Sequence, residues 1–243
     1  FVAGLLFDAY SFSTTFLLAA AMSLAAVPAG ALATRRNPLA ARESTDPLPP
    51  LQGGPISLAI RGFIVSLVGA GLVMSTLGYL LKSSFGDTIP VGAAVVGVAT
   101  VNGALLASQH IINGVGSPMF GVLIDRHGLL SAQYAGFALA GSSLLALTVL
   151  SSTVAFIPLV IVFFVGAAVS RLAVESQAAV SGHKAYSGLA TATDLGSAIG
   201  PLLGWIGIEL AATGAVFWVG GGLFLVGALI AGVTQRREKQ EAR

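Results

Sequence analysis

The chain has 243 residues, of which 55% are hydrophobic and only 9% are charged, and its net charge is +2. About a quarter of the residues of an ordinary soluble domain are charged, so this composition excludes a soluble domain and indicates a protein whose solvent is lipid. No basic patch with interleaved aromatic residues suggests nucleic acid, and the absence of cysteine excludes disulfides and thiolate metal sites.

Long uncharged runs divide the chain into seven predicted membrane-spanning helices. The first run, 9–34, is long enough to cross a hydrocarbon core of about 30 Å at about 1.5 Å per residue. The segment that follows is rich in proline and charge and is expected to lie outside lipid, where its backbone polar groups can be satisfied. The other spans are expected over 62–81, 91–123, two within 127–170 separated by a turn at 151–153, then 186–208 and 211–234. The predicted fold class is therefore an all-α integral membrane protein.

The basic residues predict the orientation of these spans. If successive spans alternate in direction, one side of the membrane receives eleven of the twelve Lys and Arg residues, Arg61 and Arg171 among them, and the other receives only Lys82. Cytoplasmic loops are enriched in Lys and Arg, so we expect the C-terminus in the cytoplasm and the start of the chain outside. No basic segment precedes the first apolar run, so no cleavable signal peptide is expected. The expected location is the plasma membrane or, in bacteria, the inner membrane.

The turn between the third and fourth spans carries the most specific motif, Gly121-Val122-Leu123-Ile124-Asp125-Arg126-His127-Gly128. It resembles the G-x-L-x-D-R-x-G loop of the major facilitator superfamily, whose members are twelve-helix secondary transporters. In that family the loop joins helices two and three, and a degenerate copy joins helices eight and nine. The long basic linker two spans earlier matches the second copy. The resemblance therefore implies that the seven spans correspond to helices six to twelve.

The sixth span carries a second motif, Gly196-Ser197-Ala198-Ile199-Gly200-Pro201-Leu202-Leu203-Gly204-Trp205. It resembles the g-x3-G-P-x2-G-G pattern in helix five of the family's proton-coupled drug exporters, with Trp205 in place of the last glycine. In this chain it falls in helix eleven, the symmetry mate of helix five. Independently of the family, a G-x-x-x-G face and a proline that removes one helix hydrogen bond predict close packing and a bend. These residues form a predicted helix-bend motif: Gly196, Gly200, Pro201 and Gly204.

The resemblance also implies a domain organisation and a function. Residues 1–34 would end the N-terminal bundle, with 1–7 the tail of helix five, 35–57 would be the central cytoplasmic loop, 58–235 the C-terminal six-helix bundle and 236–243 a cytoplasmic tail. Helices one to four and most of helix five would belong to a missing N-terminal half of the same protein. The expected activity is movement of a small-molecule substrate by alternating access, coupled to an ion, with the proton as the expected ion, and no cofactor is expected.

The turn motif predicts a gate loop. Asp125 and Arg126 fall in a very short turn, where Gly121 would allow close packing and Gly128 tolerates a positive φ. In the family, the acid caps a helix of the other half through the helix dipole, whereas a simple solvated loop is the alternative. Arg171 lies four residues before Glu175 and can pair with it. The resemblance makes Arg171 a second candidate partner of Asp125, and a solvated helix end is the alternative.

Polar residues of the third span are the best candidates for substrate contact. Asn102, Gln109 and Asn113 are separated by seven and four residues, which places them along one helical stripe. In the family the corresponding helix lines the central cavity, but amides also join membrane helices by hydrogen bonds, and both interpretations stay open. His110 lies beside this stripe. Weaker candidates for the cavity are Ser75, Thr76, Tyr79 and Thr191.

Asp194 is the only acid well inside a predicted span. Charge within a membrane is costly and usually faces a cavity or a partner, and burial raises a carboxyl pKa toward the working range of a proton carrier. The alternative is a structural acid that pairs with Lys184, His183 or a helix end. Asp194 is thus a candidate for proton coupling and for the substrate cavity.

Other function classes find little support in the sequence. The three histidines are scattered, so neither a metal site nor an acid–base cluster for a membrane enzyme is expected. There is no G-x-x-x-x-G-K-[ST] phosphate loop, which argues against transport driven by ATP. The alternative to a transporter is a non-transporting seven-helix membrane scaffold or receptor.

Overall fold

A computed structural model of the protein describes residues 54–91, 94–150, 153–211 and 214–241. The first predicted span and the charged linker up to residue 53 lie outside these residues. The described residues form long helices, which we number in chain order: α1 (Gly54–Phe85), α2 (Val98–His127), α3 (Leu129–Val149), α4 (Thr153–Val180), α5 (His183–Ala211) and α6 (Ala215–Glu241). The middle of α1, Ser66–Val73, is π-helical.

Each predicted span from the second to the seventh overlaps one of these helices. Four of the helices, α1, α3, α4 and α6, are long and apolar enough to cross a membrane. Helices α2 and α5, with 30 and 29 residues, are as long but more polar, and they do not reach the same apolarity. The structure therefore agrees with a helical membrane protein, while the count of seven spans and the twelve-helix architecture stay predictions.

The start of the predicted third span is wrong. Instead of a helix from residue 91, the chain forms an antiparallel hairpin of β1 (Thr88–Val91) and β2 (Ala94–Gly97), and α2 begins at Val98. Both strands contain β-branched residues, which favour extended backbone, and Ile89 is fully buried while Val95 is exposed. The prediction of an all-α chain thus missed one short hairpin.

The centre of the bundle is an aromatic cluster shared by α3, α4 and α6. Phe137, Phe163 and Phe224 are all fully buried. The ring of Phe224 lies 5.5 Å from that of Phe137 and 5.6 Å from that of Phe163, measured between centroids. Offset and edge-to-face pairs at this distance are favourable beyond the burial of apolar area. These contacts hold α3 between α4 and α6, and leave α1, α2 and α5 to pack around the same core.

Helices α1 and α5 approach until their backbones touch. A Cβ atom built on Gly200 would lie 2.4 Å from the carbonyl oxygen of Leu67, and one built on Gly71 would lie 2.6 Å from the Cα of Gly200. Gly196 likewise faces backbone atoms of Phe63 and Leu67, whereas Gly204 faces the side chain of Thr76. Small residues permit this distance between membrane helices. The contact falls on the π-helical part of α1, and α5 continues through Pro201 to Ala211.

Candidate functional site

A polar cleft follows α2 and separates it from α4. Its inner section lies against the π-helical part of α1, and its middle section lies between α2 and α4. Its outer section ends at the turn between α2 and α3. The sections share lining residues: Asn113 and Arg171 line the inner and middle sections, and Ser117 lines the middle and outer ones. The polar side chains and glycines of the cleft are Ser66, Gly69, Gln109, Asn113, Ser117, Gly121, Asp125, Gly128, Arg171, Glu175 and Ser176.

The cleft narrows from the turn toward the middle of the bundle. Its cavity volume is about 510 Å³ in the outer section, about 160 Å³ in the middle and about 50 Å³ in the inner section. A water molecule needs roughly 10–15 Å³ by this measure, so the inner section has room for a few waters or for one small polar group. The walls of the inner section include the apolar side chains of Val65 and Phe164.

At the inner end of the cleft, the side-chain oxygen of Gln109 lacks a hydrogen-bond donor among the described residues. This Oε1 atom is buried and accepts no hydrogen bond from any described residue. Leaving a buried acceptor unpaired costs about 1–3 kcal/mol, so such an atom calls for a partner. Gln109 and Asn113, one turn apart on α2, both line the inner section. Two of the three amides in the predicted stripe therefore reach the cleft.

Asn102, the third amide of the stripe, lies elsewhere. It faces Gly78 of α1, where a built Cβ would come 3.2 Å from the Asn102 Nδ2 atom. Its buried Oδ1 atom has no hydrogen-bond donor among the residues that the structure describes. Asn102 thus belongs to the contact between α1 and α2, outside the cleft.

The weaker candidates on α1 also lie outside the cleft. The hydroxyl groups of Thr76 and Ser75 both donate to the carbonyl oxygen of Leu72 in their own helix, at 2.7 and 3.3 Å. Tyr79 packs edge-on against Trp205 of α5, with ring centroids 5.5 Å apart. These side chains stabilise helix contacts and are not grouped with Gln109.

Thr191 and Asp194 lie exposed on α5, away from the cleft. Thr191 donates to the backbone carbonyl of Ser187 within its own helix. The suggested pairing of Asp194 with Lys184 or His183 does not form, since the ion pairs among described residues join Lys82 to Asp87 and Arg171 to Glu175. Asp194 is therefore an exposed carboxylate on the side of a long helix.

The predicted gate-loop residues meet at the outer end of the cleft. Gly121, Asp125 and Gly128 line its outer section, and Arg126 is exposed at the same turn. Gly128 has φ of 87°, a backbone conformation that glycine adopts readily. A Cβ added to Gly121, in contrast, would meet no described atom within 4 Å, so the close packing expected there is absent from the described part of the chain.

Arg171 pairs within its own helix. Its Nε atom donates to Glu175 Oε1 at 2.7 Å, as the spacing of four residues allows, and both side chains are partly exposed. No ion pair joins Arg171 to Asp125 in the described residues. The two residues line different sections of one cleft instead of forming one contact.

A buried polar network is the main feature that the sequence did not predict. Arg61, assigned to a loop from the sequence, lies inside α1 and is fully buried. It donates from Nη1 to Gln133 of α3 and from Nε to the carbonyl of Ser57, and Glu238 of α6 adds an attractive charge. Gln133 in turn donates to Gln177 of α4 at 2.8 Å. The signal was present: Leu58 and Ile64, one turn on either side of Arg61, are apolar, which suggests that the helix starts earlier.

In the described residues, no three His, Asp or Glu side chains come together as metal ligands. The cleft offers amides, hydroxyls and one ion pair along an otherwise apolar bundle. No protein-family model matches the sequence, and a search of curated proteins finds no match either.

Proposed function

We propose that these six helices form one bundle of a secondary transporter of the major facilitator type, which moves a small solute by alternating access. The observation that carries the proposal is the cleft, lined by polar side chains, that runs between α2 and the apolar helix α4 from Gln109 to the turn at Asp125. Polar groups in the membrane interior are costly and usually mark the path of a solute or an ion. A narrow inner end and a wide outer end suit a site reached from one side at a time.

The pairing of the helices supports this proposal. Helix α1 contacts α5 and α4 contacts α2, while α3 contacts α6, and α1 contacts α6 and α4 contacts α3; however, α1 and α5 touch at their backbones, whereas the cleft lies between α2 and α4. Exchanging α1–α3 with α4–α6 therefore maps each contact onto another contact. Three spans reverse the direction of the chain, so this pattern is expected of inverted repeats, which many transporters use.

The outer face of α5 supports a partner bundle. Asp194 lies two residues before Gly196, about 200° around the helix, and therefore nearly opposite the face that touches α1. A carboxylate on that face would be costly against lipid. We propose that this face meets a water-filled cavity or the N-terminal half of the same protein, and that proton coupling involves Asp194 there.

The proposal is tested by transport of the complete gene product in proteoliposomes. A panel of sugars, organic acids, amines and amino acids is offered under an imposed proton gradient, and gradient-driven uptake of at least one solute is expected. If solutes bind but none of them crosses under any gradient, the scaffold or receptor explains the fold better and the transporter is excluded.

A matched pair of variants links transport to the cleft. A side chain added at Gly69 would enter the inner section, while one added at Gly222 of α6 would meet no described atom, and both positions have open space around the added Cβ. We expect Gly69→Leu to reduce uptake at least tenfold and Gly222→Leu to leave it within about twofold. Equal uptake by the two variants would mean that the cleft is not the solute path.

A further inference from the structure

We infer that the inner and middle sections of the cleft bind a small uncharged solute rich in hydroxyl groups, such as a polyol or a monosaccharide. The inference rests on the proposed transport function and deepens it by naming the substrate class. It depends on the hydrogen-bonding groups, the charge balance and the size of these two sections.

The hydrogen-bonding groups of the inner section match hydroxyl groups. Gln109 Oε1 requires a donor, and the carboxamide of Asn113 and the hydroxyl of Ser66 lie in the same section. A carboxamide offers both acceptor and donor atoms, and a hydroxyl group can donate and accept at once. A solute with neighbouring hydroxyls can therefore satisfy Gln109 and Asn113 together, whereas a carboxylate group has no donor to offer Gln109.

The charges of the cleft favour an uncharged solute. Among the described residues that line the inner section, Arg171 carries the only full charge, and Glu175 neutralises it at 2.7 Å. A solute anion would meet Glu175 beside Arg171, and a cation would meet the guanidinium first. A charged solute must either compete with the pair of Arg171 and Glu175 or lose its hydration without compensation. The cleft therefore binds a charged solute less well than an uncharged one.

The π-helical part of α1 provides the space for the solute. Gly69 lies in this segment, lines the inner section and presents no side chain to it. π-helical turns interrupt the regular hydrogen-bond ladder and occur frequently at functional sites. Volumes of about 50 Å³ and about 160 Å³ admit one hydroxyl-bearing end at Gln109 and a small remainder beside Ser117, with Phe164 as an apolar wall.

The test measures binding by the thermal stability of the complete protein in lipid nanodiscs. The probes are glucose and mannitol as neutral hydroxylated solutes, and lactate, glycine and choline as anion, zwitterion and cation. We expect a saturable rise of Tm at millimolar glucose or mannitol and none with the charged probes. Saturation separates binding from the general stabilisation by excluded osmolytes, which grows steadily with concentration.

Two amide variants locate the effect. Gln109→Ala removes the acceptor in the cleft, and Asn102→Ala removes an equally unpaired amide outside it. We expect Gln109→Ala to weaken binding of the hydroxylated solute about fivefold to tenfold, and Asn102→Ala to leave it within about twofold, each relative to its own unliganded Tm. Equal effects of both variants would overturn the assignment of the site.

The outcomes separate this inference from the proposed function. Saturable binding and uptake of lactate, glycine or choline instead of the hydroxylated solutes would overturn the substrate class while transport stands. If none of the probes is taken up under a gradient, the proposal that the protein is a transporter is overturned, even if glucose binds.

Discussion

Arg61 shows how a single buried charge organises this bundle. Its guanidinium joins α1 to Gln133 of α3, and Gln133 extends the network to Gln177 of α4, while Glu238 of α6 supplies the opposing charge. The Arg61 Nη2 atom is buried without a hydrogen-bond partner among the described residues, so the ion is incompletely paired, and its removal would leave Gln133 Oε1 without this donor. The network therefore makes the relative positions of these four helices depend on one residue.

We expect Arg61→Met to lower the free energy of unfolding by about 1–3 kcal/mol, because Gln133 Oε1, which accepts a hydrogen bond from Arg61, loses this donor while buried. Arg171→Met, which removes a partly exposed pair, is the control and should cost less than about 1 kcal/mol. Reversible unfolding in mixed detergent micelles measures both. A cost for Arg61→Met no larger than that of the control would mean that the network is not structural.

Asp125 is exposed at the turn and has no ion-pair partner among the described residues, so its proposed role lies outside this bundle. If it caps a helix of the other half, the contact is worth about 0.3–1 kcal/mol at a helix dipole. We expect Asp125→Asn to slow transport severalfold with unchanged expression, and Asp87→Asn, an exposed acid paired with Lys82, to leave transport unaffected. Unchanged transport by Asp125→Asn would exclude the gating role.

At the scale of the elements, the contact between α1 and α5 is the tightest in the bundle. Gly196 and Gly200 of α5 approach backbone atoms of α1, and those that Gly200 approaches lie in the π-helical part. Such close contact transmits a movement of either helix to the other, since densely packed surfaces do not deform gradually. The contact adjoins the inner section of the cleft, which Gly69 of the same π-helical segment lines.

A methyl group at this contact should separate the two helices. We expect Gly200→Ala to cost about 1–3 kcal/mol of stability, because the new Cβ would lie 2.4 Å from the Leu67 carbonyl oxygen. Gly207→Ala, on the same helix with no described atom within 4 Å of the new Cβ, should be neutral or slightly stabilising. The Tm of both variants, measured by thermal unfolding, tests this expectation. Similar Tm values would show that α1 and α5 are not in rigid contact.

At the scale of the whole molecule, helices α2 and α5 differ from the other four in being more polar. Helices α1, α3, α4 and α6 are apolar enough for lipid, whereas α2 lines the cleft and α5 exposes Thr191 and Asp194. The orientation of this bundle in the membrane is a separate prediction.

The absence of cysteine in these residues permits a test of orientation with single cysteines. Ser84 and Gln240 are both exposed near opposite ends of the spans. In intact cells we expect a membrane-impermeant maleimide to label Ser84→Cys at once, and Gln240→Cys only after the membrane is opened, because the basic end lies in the cytoplasm. The reverse pattern of labelling would invert the predicted topology.

The sequence by itself determined that the chain is helical and suited to a membrane, and roughly where each described helix lies. Uncharged runs and their lengths are local properties, and lipid allows few alternatives for an apolar backbone. It did not distinguish the strand-forming residues before Val98 from the helix that follows, because an apolar run alone does not separate the two.

Only the tertiary structure decided which polar residues meet. Asn102 and Gln109 lie on one stripe of α2, but the stripe faces α1 at one end and the cleft beside α4 at the other, so their neighbours differ. Arg61 became a buried junction instead of a loop charge because helices distant in sequence supplied its partners. Contacts of this kind depend on helix packing in three dimensions, which the periodicity of one helix does not specify.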